Sequence, residues 1–294
     1  MRYIKKIYGI ILICIQKTMG IDYAKKFDSF LRFRRKLNLK HPETLADKVC
    51  FIELHKQSPM ASACTDKFEV REYIRSKGFE DILVPLAGGP WSATEDIDFS
   101  SLPVPCIFKG THGCKMNYSM TDKSTFDIAA CKKEMNRWLK TTYGLYSVEP
   151  HYKTIPHRIY AEAFLGDQAA LIDYKFHCMN GTPVFVLAVR DRKSDGDKRM
   201  QETRELYDAE WNPIRGLNST QTKIEDYRIE KPVNYDKMML IAKEISKDFD
   251  FVRVDLYNLN GKIYFGELTF TPTAGVFSSY TDEFLRDMGD RLII

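Results

Sequence analysis

The chain has 294 residues, of which 44% are hydrophobic, 29% charged and 13% aromatic. That balance excludes a disordered, collagen-like or coiled-coil protein and fits one large or two modest globular domains. The net charge of +4 hides an asymmetry, because residues 1–40 hold eleven Lys and Arg against two acids and so carry +9, leaving −5 for the rest.

The basic arm suits an anionic surface. Within it, residues 7–15 are all apolar or glycine. Nine residues cannot span a bilayer, which needs about 20. Lys5 and Lys6 precede the run as in a signal peptide, but no small-x-small cleavage site follows. Two readings stand: a helix packed on the body, or an interfacial anchor with Lys and Arg on anionic headgroups. Next, residues 22–37, 44–57 and 66–78 read as helices, the second capped by Thr44 with Asp47 three residues on, the third ended by Gly78. Pro85, Gly88, Gly89 and Pro90 mark a loop. Residues 104–110 read as a short strand running into a glycine-bearing loop, and residues 124–141 as a helix.

The second half changes character. Residues 158–165 and 170–179 are strand-like, Asn180-Gly181 is a hairpin turn, and residues 183–189 supply the return strand. Residues 234–249 form an amphipathic helix with Met238, Ile241, Ala242 and Ile245 on one face. Residues 251–259, the turn Asn260-Gly261 and residues 262–270 make a second hairpin, and a helix follows. The order predicts an α+β fold with antiparallel sheets. Neither a Rossmann nor a P-loop fingerprint occurs. The seven cysteines are scattered singly with no CxxC pair, which supports neither a zinc ribbon nor a disulfide framework and points to a reducing cytosol. Cys50, Cys64, Cys106, Cys131 and Cys178 sit in apolar settings as core residues.

Asp255 and Glu267 fall on the two strands of the second hairpin. With a two-residue turn, strict pleating puts them on opposite faces, and a bulge at Gly266 would bring them to one. Two hard oxygen ligands there suit Mg²⁺ that also holds phosphates. Arg253, two residues before Asp255, shares its face and could clamp a transferring phosphoryl group. The rival reading is an exposed hairpin with a cross-strand ion pair.

Arg253-Val-Asp255 followed by Glu267-Leu-Thr-Phe-Thr-Pro272 resembles the metal-binding end of the ATP-grasp fold, whose pattern is R-x-D and then E-x-N-x-x-P; Thr269 stands where Asn is usual. Asp66-Lys67 with Arg71 and Gly78 resembles the D-K-x-x-x-R-x-x-x-x-x-x-G segment. Phe108-Lys109 resembles the strand lysine on the nucleotide, and residues 111–117 the loop over the phosphates. Ala161-Glu162-Ala-Phe164 resembles the acidic hinge beside adenine and ribose. More narrowly, Thr65-Asp-Lys-Phe-Glu-Val-Arg-Glu-Tyr73, Asp173-Tyr-Lys-Phe-His-Cys178, Phe251-Val-Arg-Val-Asp-Leu-Tyr257 and Tyr264-Phe-Gly-Glu-Leu-Thr-Phe270 resemble the TupA-like ATP-grasp group of bacterial surface-polysaccharide clusters, from about residue 38 onward.

The resemblance implies two α+β subdomains gripping ATP after a helical N-terminal region: an arm at 1–40, a helical part at 41–100, a lid subdomain at 101–165 and a C-terminal subdomain at 166–294. It implies an amide ligase working through an acyl phosphate, with ATP and Mg²⁺ as cofactors and a uronate and an amine as substrates. Arg253 and Lys175 would act in catalysis. Lys67, Lys109, His112, Gly113, Lys115, Glu162 and Lys175 would contact the nucleotide, and Asp255, Glu267 and Thr269 the metal. Arg190 and Arg192, with Lys198-Arg199 nearby, would meet the acid substrate. The alternatives are a kinase acting on a sugar hydroxyl, or a glycan- or membrane-docking protein. A glycosyltransferase ranks lowest, with Asp96-Ile-Asp98 in a loop. No RNP, zinc-finger or basic-helix motif supports nucleic acid. The expected place is the cytoplasm, peripheral on the inner face of the membrane.

Overall fold

A computed structural model describes residues 2–56, 58–144, 147–166, 171–193, 201–218 and 224–294. The chain divides into two compact units, the first Met1–Ser58, Leu145–Pro150 and Asp167–Ile294, the second Pro59–Gly144 and His151–Gly166.

The first unit opens with helices α1 (Arg2–Met19) and α2 (Ile21–Phe33). Among the described residues no helix is long and apolar enough to cross a membrane. Helix α3 (Leu45–Phe51) starts as expected at Thr44, whose Oγ1 accepts from the Asp47 amide at 3.2 Å while the Asp47 carboxylate accepts from the Thr44 amide at 3.1 Å. A single π-helical turn, Ile52–Lys56, extends it. The second unit holds α4 (Pro59–Thr65), α5 (Val70–Ser76) and α6 (Ile128–Leu139). The expected helix from 66 to 78 is thus shorter, because the Asp66 side chain accepts from the amides of Phe68 and Glu69 and holds a turn ahead of α5.

Four strands form the second unit's antiparallel sheet: β1 (Leu86–Trp91), β2 (Cys106–Gly110), β3 (Asn117–Met120) and β4 (Ile159–Ala163), in the order β1-β4-β2-β3. The segment around Gly88–Pro90, expected as a loop, is therefore a strand. It lies at the sheet edge with two register shifts against β4, where proline and glycine are tolerated. Cys106, Phe108, Ile159 and Ala161 point into a core with Cys131, Met135 and Trp138 of α6.

The first unit's sheet has the order β7-β6-β5-β8-β9: β5 (Asp173–Met179), β6 (Thr182–Lys193), β7 (Gln201–Asp208), β8 (Phe251–Leu259) and β9 (Lys262–Thr269), all antiparallel. Helix α7 (Tyr235–Ser246) buries Met238, Ile241, Ala242 and Ile245, the stripe read from sequence. Strand β6 runs on to Lys193 and pairs with β7, so residues 190–193, beyond the return strand expected at 183–189, belong to the sheet. The other face carries Phe185, Leu187, Val189 and Leu206 into a core with Leu45, Val49, Phe284 and Leu285 from α3 and α8 (Asp282–Arg291).

Gly289 lets α8 approach the start of α3. A Cβ there would clash with the Glu43 carbonyl oxygen and the backbone of Thr44, and backbone cannot step aside as a side-chain tip can. Gly289→Ala is expected to lower stability by at least about 2–3 kcal/mol. A urea midpoint equal to that of the unchanged chain would contradict the close approach.

The five cysteines expected in cores are all buried; Cys14 and Cys114 are exposed, and all seven are free thiols.

Candidate active site

The chemistry of the first unit concentrates on β5, β8 and β9. From Leu259↔Lys262 to Leu256↔Phe265 the hairpin keeps the register set by Asn260-Gly261; it then shifts, and Asp255 stands directly opposite Glu267. Gly266 is the extra residue. The bulge expected there does turn the two carboxylates into a cross-strand pair. A Cβ on Gly266 would meet the Asp255 carbonyl oxygen at 3.0 Å and the Tyr257 ring at 3.2 Å, so the bulge is closely packed.

On its other side Asp255 pairs with Lys175 of β5, making one row Lys175–Asp255–Glu267 across three strands. Arg253 forks onto Asp255, donating from Nε to Oδ1 at 2.6 Å and from Nη2 to Oδ2 at 2.7 Å. Its Nη2 also reaches Thr269 Oγ1 at 3.0 Å and Glu267 Oε1 at 3.5 Å. Lys175 Nζ donates to Asp173 Oδ2 at 2.6 Å and also to Asp255. None of the sequence motifs assigns Asp173 a role. The signal was there in Asp173-x-Lys175, since residues two apart on a strand share a face.

Asp173 and Asp255 are buried, Lys175 and Arg253 nearly so and Glu267 about one-third exposed, and each charge is held by its opposite. Burial pushes the Asp255 carboxyl up from its ordinary value, against the pull of Arg253 and Lys175. Burial also works against charge on Arg253, yet Asp255, with Glu267 and Asp173 behind it, holds the guanidinium above its ordinary value. The donor set suits a magnesium ion: two carboxylates on adjacent strands, all-oxygen, with a hydroxyl beside them. Among the described residues no cluster of three or more His, Cys, Asp or Glu could hold a metal alone, so further ligands would have to come from water or substrate.

Arg190 does not join this group. It lies on the opposite face of the sheet, on the side where Tyr235 of α7 stacks on Phe176, and its Nη2 stands 3.4 Å from the buried Glu205. Glu205 is also satisfied by the amides of Arg228 and Ile229, which makes it a structural carboxylate. Strand alternation that sequence alone could not phase, because β7 was not foreseen, is the reason. The Arg192 side chain and Lys198-Arg199 lie outside the described residues.

In the second unit Lys109 of β2 and Glu162 of β4 form an ion pair on the sheet face away from α6. Tyr160 lies on that face with Phe68 against it, ring centroids 5.8 Å apart. Arg71 is buried there too, within the field of Glu162 and Tyr160, with burial pushing its pKa down. Lys67 is half-buried, and its amide bonds the Thr111 carbonyl oxygen at 3.1 Å. The loop from Thr111 to Met116 carries Lys115, exposed and at φ 59°, and Gly113, packed against Met116 and Tyr143.

His112 is turned away from this loop's surface. Its ring is buried, stacked on His157 at 3.9 Å between centroids, with Nε2 bonding the Trp138 carbonyl oxygen at 3.0 Å. It is a core residue, and the phosphate contact expected of it does not form. Burial lowers its pKa to about 4, and burial likewise holds His177, stacked on Phe185, well below its ordinary value. Well above pH 6.5 neither group affects stability, since both are then neutral folded or unfolded. As pH falls below 6.5 the unfolded chain binds protons the folded one refuses, so stability should decline by up to about 1.4 kcal/mol per pH unit for each histidine. For His112 the decline ends near pH 4. Urea unfolding between pH 5 and 6.5, above most carboxylate titration, checks this; a flat midpoint would contradict the buried neutral imidazoles.

Two antiparallel sheets in separate units, one bearing an Arg-x-Asp strand paired through a bulge to a Glu-x-Thr strand and the other a strand lysine, define an ATP-grasp protein. The chain belongs to the TupA-like ATP-grasp family, whose model matches residues 47–293. Among solved structures it is similar to a D-alanine–D-alanine ligase from Bacillus anthracis complexed with ATP, at 13% identity and a TM-score of 0.46 over 77% of this chain and 61% of that one. It is also similar to the D-alanine–D-alanine ligase from Helicobacter pylori, at 11% identity and 0.45 over 85% and 67%. A third is the VanG D-Ala:D-Ser ligase from Enterococcus faecalis, at 14% and 0.45 over 78% and 61%. The chain thus spans about two thirds or less of their length. No curated protein sequence matches it.

Proposed function

We propose that this chain is an ATP-dependent carboxylate–amine ligase that joins an amino acid or another amine to the carboxylate of a uronic acid in bacterial capsular or cell-surface polysaccharide biosynthesis. The observation carrying the reading is the row Lys175–Asp255–Glu267 with Arg253 forked onto Asp255. Family membership supports the use of ATP.

Asp255 and Glu267, with Thr269 beside them, would hold Mg²⁺, whose charge there offsets that of the phosphates. The remaining tasks fall to side chains. Arg253 and Lys175 give up carboxylate partners for phosphoryl oxygens, the arginine with its planar fork and the lysine as a point charge. Lys109, Lys67 and Lys115 would meet the nucleotide's phosphates, and Glu162 its hydroxyl or amino groups. Arg192 would meet the acid substrate. Phosphorylation of the substrate carboxylate and attack by the amine give an amide, ADP and phosphate, and no protein nucleophile is needed. Charge neutralisation and positioning suffice. The enzyme would work in the cytoplasm, with residues 1–40 holding it to the anionic inner face of the membrane.

ADP release across a matrix of uronic acids and amino acids tests the reading. Release that requires both an acid and an amine is expected. Release with a sugar alone, yielding a phosphorylated sugar, would make the chain a kinase. Absence of thermal stabilisation by Mg-ATP would leave a docking protein that kept the fold.

A further inference from the structure

Helix α2 is built inside out. Its buried residues are Ala24, Lys25, Asp28 and Ser29, while Tyr23, Phe27, Phe30 and Leu31 are 39 to 56% exposed. Each inward polar group is satisfied. Lys25 Nζ donates to the carbonyls of Ser147 and Val148 at 3.1 and 3.2 Å. Asp28 accepts from Tyr8 Oη at 2.7 Å and pairs with Arg32, and Ser29 Oγ donates to the Arg35 carbonyl at 2.8 Å. The polar side therefore belongs inside, and the outward apolar row at i, i+4, i+7 and i+8 is a second face without a partner among the described residues. The preceding helix behaves similarly: Leu12 and Ile15 of α1 pack with Ala24 and Ile21, while Ile7, Ile10 and Ile11 are 41 to 57% exposed.

The geometry points to α1 and α2 as a two-helix docking surface for an anionic lipid bilayer, with the aromatic row of α2 as the inserted element. This rests on the membrane reading above and adds α2 to it. Charge selects the occupant. Lys26 lies over the Tyr23 ring and Arg34 over the Phe30 ring, so basic groups border the aromatic row. Of the two acids in residues 1–40, Asp28 is buried and Asp22 bonds His55. A second copy would bring +9 against +9, whereas anionic headgroups complement it. Neither helix can cross the bilayer, and aromatic and basic residues together suit the headgroup boundary.

The test is sedimentation of the full chain with phosphatidylcholine vesicles, with and without phosphatidylglycerol. Binding is expected only with the anionic lipid. Phe27→Ser with Phe30→Ser should weaken it at least tenfold, and Tyr23→Ser with Leu31→Ser should do the same. The melting temperature should hold, since these side chains are exposed. If both double variants bind like the parent, the aromatic row is not inserted, the inference is overturned, and the basic arm alone carries the membrane reading. If the parent binds neither vesicle, both fall. If the parent is a dimer that the variants dissolve, the face is a self-association surface and the inference is overturned.

Discussion

Replacing Asp255 by Asn is expected to end ADP formation and to destabilise the fold together. The carboxylate answers two buried cations, Arg253 and Lys175. A neutral amide leaves those charges to Asp173 and Glu267, and breaking one side of a buried ion cluster costs about 3–5 kcal/mol. Glu267→Gln separates the two effects. Its side chain is one-third exposed and stands 3.5 Å from Arg253, so the stability change should stay within about 1 kcal/mol while ADP formation is still lost. ADP formation by Glu267→Gln at the parent's rate, followed by a coupled assay, would remove the metal assignment. Chemical denaturation of both variants would show whether the stability costs differ as expected.

Arg253→Ala should lower kcat by on the order of 10²–10³, the range for removing one donor aimed at transition-state charge. The affinity for ATP should change little, because the contact is expected with the transferring group. Arg253→Lys should rescue poorly. A lysine cannot fork onto Asp255 and reach Thr269 as the guanidinium does. Since its surroundings hold Arg253 charged, no rise or fall in activity below pH 10 should trace to it. An effect confined to nucleotide binding, read by separate KM and kcat values, would give Arg253 a different role.

Much of the Arg253–Asp255–Glu267 cluster is legible in the sequence because it is local. A two-residue turn fixes the pairing of β8 with β9, and a glycine at the position due to face Asp255 signals the bulge. Period-two spacing then sets Arg253 with Asp255. The resemblance supplied Lys175, and the sheet supplied its reason, a direct pairing with Asp255 eighty residues away. What was not legible depends on distant strands. Strand β7 comes from a stretch of charged residues, Gln201–Asp208, whose alternation is paired but not apolar, and without it the face of Arg190 could not be known. His112 departs from expectation for a similar reason. A histidine beside glycine in a loop suggests a phosphate ligand, but its ring is held by Trp138 and His157, neither adjacent in sequence.

The packing of α3 on α8 has a consequence for synthesis. Lys48 bonds the Leu292 carbonyl across 244 positions, and Gly289 meets Glu43 and Thr44. At 5–20 residues per second, roughly 12–50 s pass on the ribosome between the emergence of the two sides. During that time Leu45, Val49 and the residues packed with them have no cover from α8. The first unit therefore cannot close before α8 has been made, while the second has all its strands by Ala163. The nascent chain would carry a finished unit inside an unfinished one, and its apolar N-terminal segments would be the part offered to chaperones.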